Sequence, residues 1–171
     1  MAKIKTTCLR DLLVQKVQTL YDVEHELIKA LPSLVEAAND VELIEGFKAH
    51  FKETKEQADR LEEVLYFLGE KKKKLRSDAI RGLIKDGEWV IKHIKTPEAR
   101  DANLIASASY IEHFEMAGYV AAKEWATTLG LTDIADLLDT TLMEERAADE
   151  QLMELGRSKL FARASASQAS E

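Results

Sequence analysis

Apolar residues recur along most of the chain at steps of three, four and seven residues, the spacing of one face of an α-helix. Leu13, Val17 and Leu20 begin the first such row, which continues up to a turn at 39–40. The pattern predicts four long amphipathic helices and shorter helical pieces between the second and the third. Their expected bounds are 7 to 38, 41 to 68, 97 to 129 and 132 to 160 for the long helices and 80 to 94 for the short pieces.

Residues at the ends of these segments support the helix boundaries. Thr6 or Thr7 is expected to cap the first helix, and Asn39-Asp40 is a turn and N-cap signal for the second. Thr96-Pro97 is a strong start signal, because Thr is a good N-cap and Pro is favoured at the first helical position. The helix starts and stops thus agree with the hydrophobic spacing.

Four long helices with one long connection between the second and third predict an all-α fold. We expect a ferritin-like antiparallel four-helix bundle whose long crossover contains a short helix. The bundle is expected to span 1–161, and the Ala- and Ser-rich tail at 162–171 is expected to be disordered. Only 7 Gly and 2 Pro among 171 residues agree with long helices and few tight turns.

Charge and composition limit the classes of partner that the protein is expected to bind. The net charge of -7 does not favour nucleic acid as a main partner, since phosphate binding needs a basic face. No stretch approaches the roughly 18 apolar residues of a membrane span, so we expect no membrane association. The single cysteine, Cys8, excludes an internal disulfide and fits a cytoplasmic location, and no signal peptide is visible.

Acidic residues lie on the apolar faces of all four long helices. Glu24 falls midway between Val17 and Leu31, in the middle of the first apolar row. Glu145 and Asp149, four residues apart, share the inward face of the last helix. The other candidates are polar residues on or beside the faces of the second and third helices: His50, Glu53, Glu112 and Glu115.

Buried carboxylates cost several kcal/mol unless a cation, a proton or a metal compensates them. Several carboxylates with an imidazole form the donor set of a hard or borderline divalent metal, and two metals need roughly four to six ligands. The predicted metal ligands are therefore Glu24, His50, Glu53, Glu112, Glu115, Glu145 and Asp149. The alternative is a buried polar network in which the acids pair with Arg60, Arg146 or tyrosines.

The order of several short motifs resembles the YciF-type family of bacterial ferritin-like proteins. The resemblance runs from about Cys8 to Leu160, nearly the whole chain. It implies a rubrerythrin- or ferritin-like bundle, a homodimer, a dimetal centre of iron or manganese, and a link to stress responses. The matching motifs are Tyr21-Asp-Val-Glu24, Leu31-Pro-Ser-Leu, His50-Phe-Lys-Glu53-Thr-Lys-Glu-Gln57, Arg60-Leu61, Gly82-Leu83-Ile84, Arg100-Asp101-Ala102, Glu112-His113-Phe-Glu115 and Glu144-Glu145-Arg-Ala-Ala-Asp149.

The chain departs from the standard ferritin-like site, which has Glu-x-x-His on two helices. Three residues beyond Glu53 the chain has Glu56, and three residues beyond Glu145 it has Ala148. We therefore expect a centre richer in carboxylates than the standard one. Relatives also tend to carry Glu where this chain has Arg81, so any role of that Glu is changed here.

Three functions remain open at this stage. The first is a dimetal-carboxylate protein that binds iron or manganese and reacts with peroxide or oxygen. The second is a non-catalytic helical bundle, structural or partner-binding, with a paired network of buried carboxylates. The third is a cage-forming iron store, although no sequence feature predicts a closed shell. The sequence does not decide whether the protein is an enzyme.

Overall fold

The computed structural model describes residues 6–166, and within that range it contains helices and no strand. The all-α prediction is confirmed, and the short helix of the long connection is present. The last long helix continues through a π-helical turn into a short terminal helix. The bounds are α1 Leu9–Ala37, α2 Val41–Phe67, α3 Asp78–His93, α4 Pro97–Thr128, α5 Thr132–Leu155, the π-helical turn Gly156–Leu160 and α6 Phe161–Ala166.

The turns between the helices use side chains and glycines suited to them. The Asp40 carboxylate accepts a hydrogen bond from the Glu42 N–H at 3.0 Å and caps α2, as predicted. Gly69 follows α2 with φ 69°, a conformation that glycine adopts without steric cost. The prediction that Thr6 or Thr7 caps α1 is wrong. The cap position belongs to Cys8, and Thr7 donates its N–H and O–H to the Asp11 carboxylate at 2.9 Å instead.

Each long helix packs against two of the other long helices. The pairs α1–α2 and α4–α5 are joined by short turns and pack extensively, while α1 also contacts α4 and α2 also contacts α5. Helix α3 lies against α4 and α1. None of the described helices has the length and apolar character needed to cross a membrane.

Two large apolar clusters fill the space between the long helices. One includes Leu13, Leu61 and Leu138, and the other includes Phe47 and Leu104. Each long helix has buried polar residues, among them Glu24, Thr54, Glu112 and Glu145, between the positions that build these clusters. A polar layer is therefore enclosed by apolar packing on both sides.

An arginine of α3 ties that helix to α1. Arg81 binds the Asp22 carboxylate at 2.6 and 3.2 Å and approaches Glu26 at 3.2 Å. Asp22 also accepts the Ser77 N–H at 2.9 Å. Burial alone would raise the pKa of Asp22, but the Arg81 hydrogen bond and the Ser77 N–H outweigh it and lower that pKa. Arg81 thus joins α3 to α1 through ion pairs.

The C-terminal helix extends past the predicted end of the bundle. Residues 162–166 are helical, where the sequence predicted disorder from 162 onward. Arg163 binds the Asp40 carboxylate at 2.9 Å, and Lys159 binds it at 2.7 Å, so ion pairs hold this segment to the start of α2. The rest of the predicted tail, 167–171, lies outside the described residues.

Candidate metal centre

Four of the seven predicted ligands meet inside the polar layer. His50 of α2, Glu112 and Glu115 of α4 and Glu145 of α5 each offer one ligand atom, and these atoms lie within 4.8 Å of one another. The His50 Nε2 lies 3.3 Å from the Glu112 Oε1. The Glu24 carboxyl of α1 contacts that of Glu115 and joins the group. All four long helices contribute to the cluster.

Helix geometry explains why these side chains point inward. Glu112 and Glu115 are three residues apart, so they share one face of α4 with the buried Ala108 and Ile111. Glu145 lies on the face of α5 that buries Leu138 and other apolar side chains. The Glu24, Glu115 and Glu145 side chains are fully buried, with 0% exposure. The acids are thus held in the interior by the packing of their own helices.

Most of the carboxylate oxygens in this cluster lack a hydrogen-bond donor. Within the described residues, six have no partner: Glu24 Oε2, Glu112 Oε2, and both oxygens of Glu115 and of Glu145. The His50 Nδ1 is also unpartnered, since its nearest carboxylate oxygen, on Glu53, is 3.9 Å away. A buried acceptor without a donor is costly, so each of these oxygens needs a proton or a cation.

The electrostatics of the cluster favour protons when no metal is bound. Burial raises the pKa of Glu24 and of Glu112 to about 8, and neighbouring carboxylates add to the effect of burial. The same causes raise the pKa of Glu115 and Glu145 well above the ordinary value. Burial lowers the pKa of His50, but the surrounding carboxylates outweigh it and raise that pKa. A metal would have to displace protons from these groups.

Tyr119, which is not among the predicted ligands, also belongs to this layer. Its side chain is fully buried, and its O–H donates a hydrogen bond to the Glu24 Oε1. Tyr119 follows Glu115 by four residues and so lies on the same face of α4. The four-residue spacing could have identified Tyr119 from the sequence. Its hydrogen-bond partner lies on another helix and could not be identified in this way.

Two predicted ligands lie outside the cluster. The Glu53 side chain is 48% exposed, and its contact with the site is the 3.9 Å approach to the His50 Nδ1. Asp149 accepts a hydrogen bond from the Ser109 O–H at 2.5 Å and lies 3.6 Å from the His113 Nδ1. The structure therefore does not bring Glu53 and Asp149 among the mutually close ligand atoms.

The arginines considered as partners of the acids are engaged elsewhere. Arg60 binds the Glu144 carboxylate at 2.8 and 3.0 Å and the Thr141 hydroxyl at 2.6 Å. Arg146 contacts the sulfur of Met143 at 3.8 Å on the surface. Among the described residues, neither arginine lies against the buried acids, so arginine does not compensate their charge.

Comparisons with known proteins agree with this architecture. YciF of Escherichia coli K12 is 35% identical over 148 residues, which are 86% of this chain and 89% of that protein. The solved structure of this E. coli stress protein matches with a TM-score of 0.85 at 34% identity, covering 88% of this chain and 96% of its own. YcfI of Rhodopseudomonas palustris, provisionally described as a structural protein, matches with a TM-score of 0.84 at 36% identity, covering 88% and 95%.

A more distant structure shows the fold alone. A protein of Xanthomonas campestris pv. campestris is 20% identical and has a TM-score of 0.73, covering 94% of this chain and 99% of its own. The family model described as Domain of unknown function (DUF892) matches residues 8–165, nearly the whole chain. The resemblance to YciF-type proteins is thereby confirmed, and the chain belongs to the DUF892 family.

Proposed function

We propose that this protein is a ferritin-like antiparallel four-helix bundle that binds iron or manganese in a carboxylate-rich dimetal centre and reacts with peroxide or oxygen. The observation that carries the proposal is the set of six unpartnered carboxylate oxygens beside the His50 imidazole. Divalent cations favour carboxylate oxygen and imidazole nitrogen as ligands. The donor chemistry of the layer therefore fits such metals.

Each residue of the layer has a definite task under this proposal. Glu112, Glu115, Glu145 and His50 would hold the metal, and Glu24 would be a fifth ligand. Tyr119 positions Glu24 through its hydrogen bond, which leaves the Glu24 Oε2 free. A bound iron or manganese ion would supply electron exchange with the oxidant. The apolar clusters on either side of the layer lower the local dielectric constant, which strengthens the charge interactions within it.

The proposal of a stress-related role rests on the similarity to relatives. The E. coli relative is described as a stress protein, and we extend a stress-related role to this chain. A cytoplasmic homodimer without a nucleic-acid or membrane partner remains our expectation. Light scattering tests the assembly, because a dimer excludes the cage of an iron store.

A structural role is the second candidate, and contacts between the acids favour it. The Glu24 and Glu115 carboxyls contact each other, as do those of Glu112 and Glu145. If one acid of each pair is protonated, it can donate a hydrogen bond to the other, and the layer then needs fewer cations. The provisional structural description of the R. palustris relative agrees with this second role.

Metal analysis of protein purified without chelator separates the two candidates. We expect near-stoichiometric iron or manganese in the unmodified protein and its loss in the Glu24→Ala, Glu145→Ala double variant. Glu144→Gln is a matched control, because Glu144 is the adjacent acid but pairs with Arg60 outside the cluster. Protein that is isolated metal-free and takes up neither Fe²⁺ nor Mn²⁺ on titration would refute the metal centre.

A further inference from the structure

An open cavity of about 1110 Å³ extends to the candidate metal centre. Residues of α1, α2, α3, α4 and α5 line it, among them His50 and Glu112. These two side chains are almost fully buried, and the His50 Nδ1 and the Glu112 Oε2 have no hydrogen-bond partner in the described chain. The cavity therefore reaches two residues of the metal-binding layer, each of which carries an unpartnered polar atom.

The size of the cavity exceeds what a small oxidant needs. A water molecule occupies roughly 30 Å³ of the liquid, and peroxide has about twice as many heavy atoms. Sites for organic molecules typically measure about 300 to 1,000 Å³. The cavity, at about 1110 Å³, has the size of a site for organic molecules, and its volume therefore indicates an organic ligand.

The walls of the cavity are mainly hydrocarbon. Leu34, Leu83, Ile84, Ile91 and Leu155 line it, and all five are only partly buried. Apolar wall area with polar groups among it is typical of sites that bind organic small molecules. An apolar ligand would remove these walls from water at a gain proportional to the area covered.

The charges along the cavity disfavour an anion. Eight acidic and four basic side chains line it. Of the basic side chains, Arg81 and Lys29 are paired with acids of α1, and Arg76 is paired with Asp78. An anionic headgroup would meet an excess of negative charge, whereas an uncharged molecule would not.

We propose that this cavity binds an uncharged, mainly hydrocarbon small molecule and presents it to the metal centre as an organic substrate or co-substrate. The inference rests on the proposed function for the metal, while the cavity ligand can be tested without it. It extends that function, because peroxide or oxygen would then act together with an organic molecule.

Helix α3 offers a matched pair of variants. Gly87 is buried and lines the cavity, and a Cβ added there would meet no atom within 4 Å. Gly82 lies on the same helix and has equally open space at its Cβ, but it is exposed and does not line the cavity. Both Gly→Leu changes favour the helix, so neither is expected to unfold α3. Only Gly87→Leu places a side chain in the cavity.

Binding of N-phenyl-1-naphthylamine, an uncharged fluorophore, tests the proposal on the unmodified protein and both variants. We expect Gly87→Leu to weaken binding by about tenfold or more, a loss measurable in a fluorescence titration, and Gly82→Leu to leave it within about twofold. We expect 1-decanol to displace the fluorophore at lower concentration than decanoate. Equal binding by the two variants, or better displacement by decanoate, would overturn the proposal.

Metal content measured on the same three proteins separates this proposal from the metal centre. Metal-loaded protein that does not bind the fluorophore would overturn the cavity ligand and leave the metal centre standing. Fluorophore binding as expected in protein that takes up no metal would overturn the metal centre and the substrate role. Co²⁺-loaded protein tests whether the cavity ligand lies close to the metal. Its visible spectrum should change when 1-decanol is added to the Gly82→Leu protein and should not change when it is added to the Gly87→Leu protein. A Gly87→Leu protein that alone loses its dimer would assign the cavity to a second copy and overturn the proposal.

Discussion

The metal-free protein should lose stability as the pH rises from about 4.5 to about 8. The cause is the group of buried acids, in which burial raises the pKa of Glu24 from 4.5 to about 8. Between these two values the folded chain holds a proton that the unfolded chain has released. Stability therefore decreases with rising pH, and the decrease ends above the folded pKa.

The size of the effect follows from the pKa shift. A difference of about 3.5 units, from 4.5 to about 8, corresponds to roughly 5 kcal/mol at 1.36 kcal/mol per unit. Glu112 has the same shift, but the two acids raise each other's pKa, so we take about 5 kcal/mol as the expected scale for the layer. That amount is comparable to the whole stability of many domains.

The assay is urea unfolding in the presence of a chelator at several pH values from 5 to 8. Glu24→Gln should make the slope less steep, because the amide resembles the protonated acid and does not titrate, while Glu112, Glu115 and Glu145 still do. Glu154→Gln should leave the slope unchanged, since that acid of α5 is exposed and lies outside the cluster. Added metal should reverse the slope, because binding requires deprotonated ligands. A metal-free stability that stays flat or rises over this range would refute the assignment of protons to the buried acids.

Three further substitutions test other parts of the structure. Tyr119→Phe removes the donor to the Glu24 Oε1 and should lower the free energy of unfolding by about 1–3 kcal/mol in urea, with weaker metal uptake in a titration. Arg81→Ala leaves the buried Asp22 carboxylate without its cation, so α3 should exchange its amide hydrogens faster while α5 does not. Gly156→Ala brings a methyl group against the Phe161 ring and should lower the melting temperature by several degrees in calorimetry; an unchanged value would contradict this packing.

The helices and the choice among the acids of α5 could be predicted because both depend on local geometry. A helix advances about 100° per residue, so the spacing of apolar residues places Glu145 inward and Glu144 to one side. The structure agrees, with Glu145 fully buried and Glu144 paired with Arg60. Such facing arguments need only the pitch of one helix.

Contacts between helices are what the spacing along a single helix does not determine. Glu53 borders the apolar face of α2, and whether a bordering residue turns inward depends on how the helix rotates against its neighbours. Asp149 shares the inward face of α5, and its carboxylate accepts a hydrogen bond from a hydroxyl of α4, a contact that the spacing along α5 does not reveal. The bond between Tyr119 and Glu24 joins α4 to α1 and leaves no trace in the spacing along either helix.

The absence of Glu-x-x-His from this chain changes the net charge of the site more than it changes where the site lies among the helices. His50 precedes Glu53 by three residues, and it is the imidazole that points inward. Four buried carboxylates, from Glu24, Glu112, Glu115 and Glu145, therefore surround one imidazole. One divalent ion would neutralise two of the four negative charges, and the remaining two would have to stay protonated in a fully buried layer. Two divalent ions would balance all four carboxylates, so the charge left on the site depends on how many ions bind and how many protons are kept.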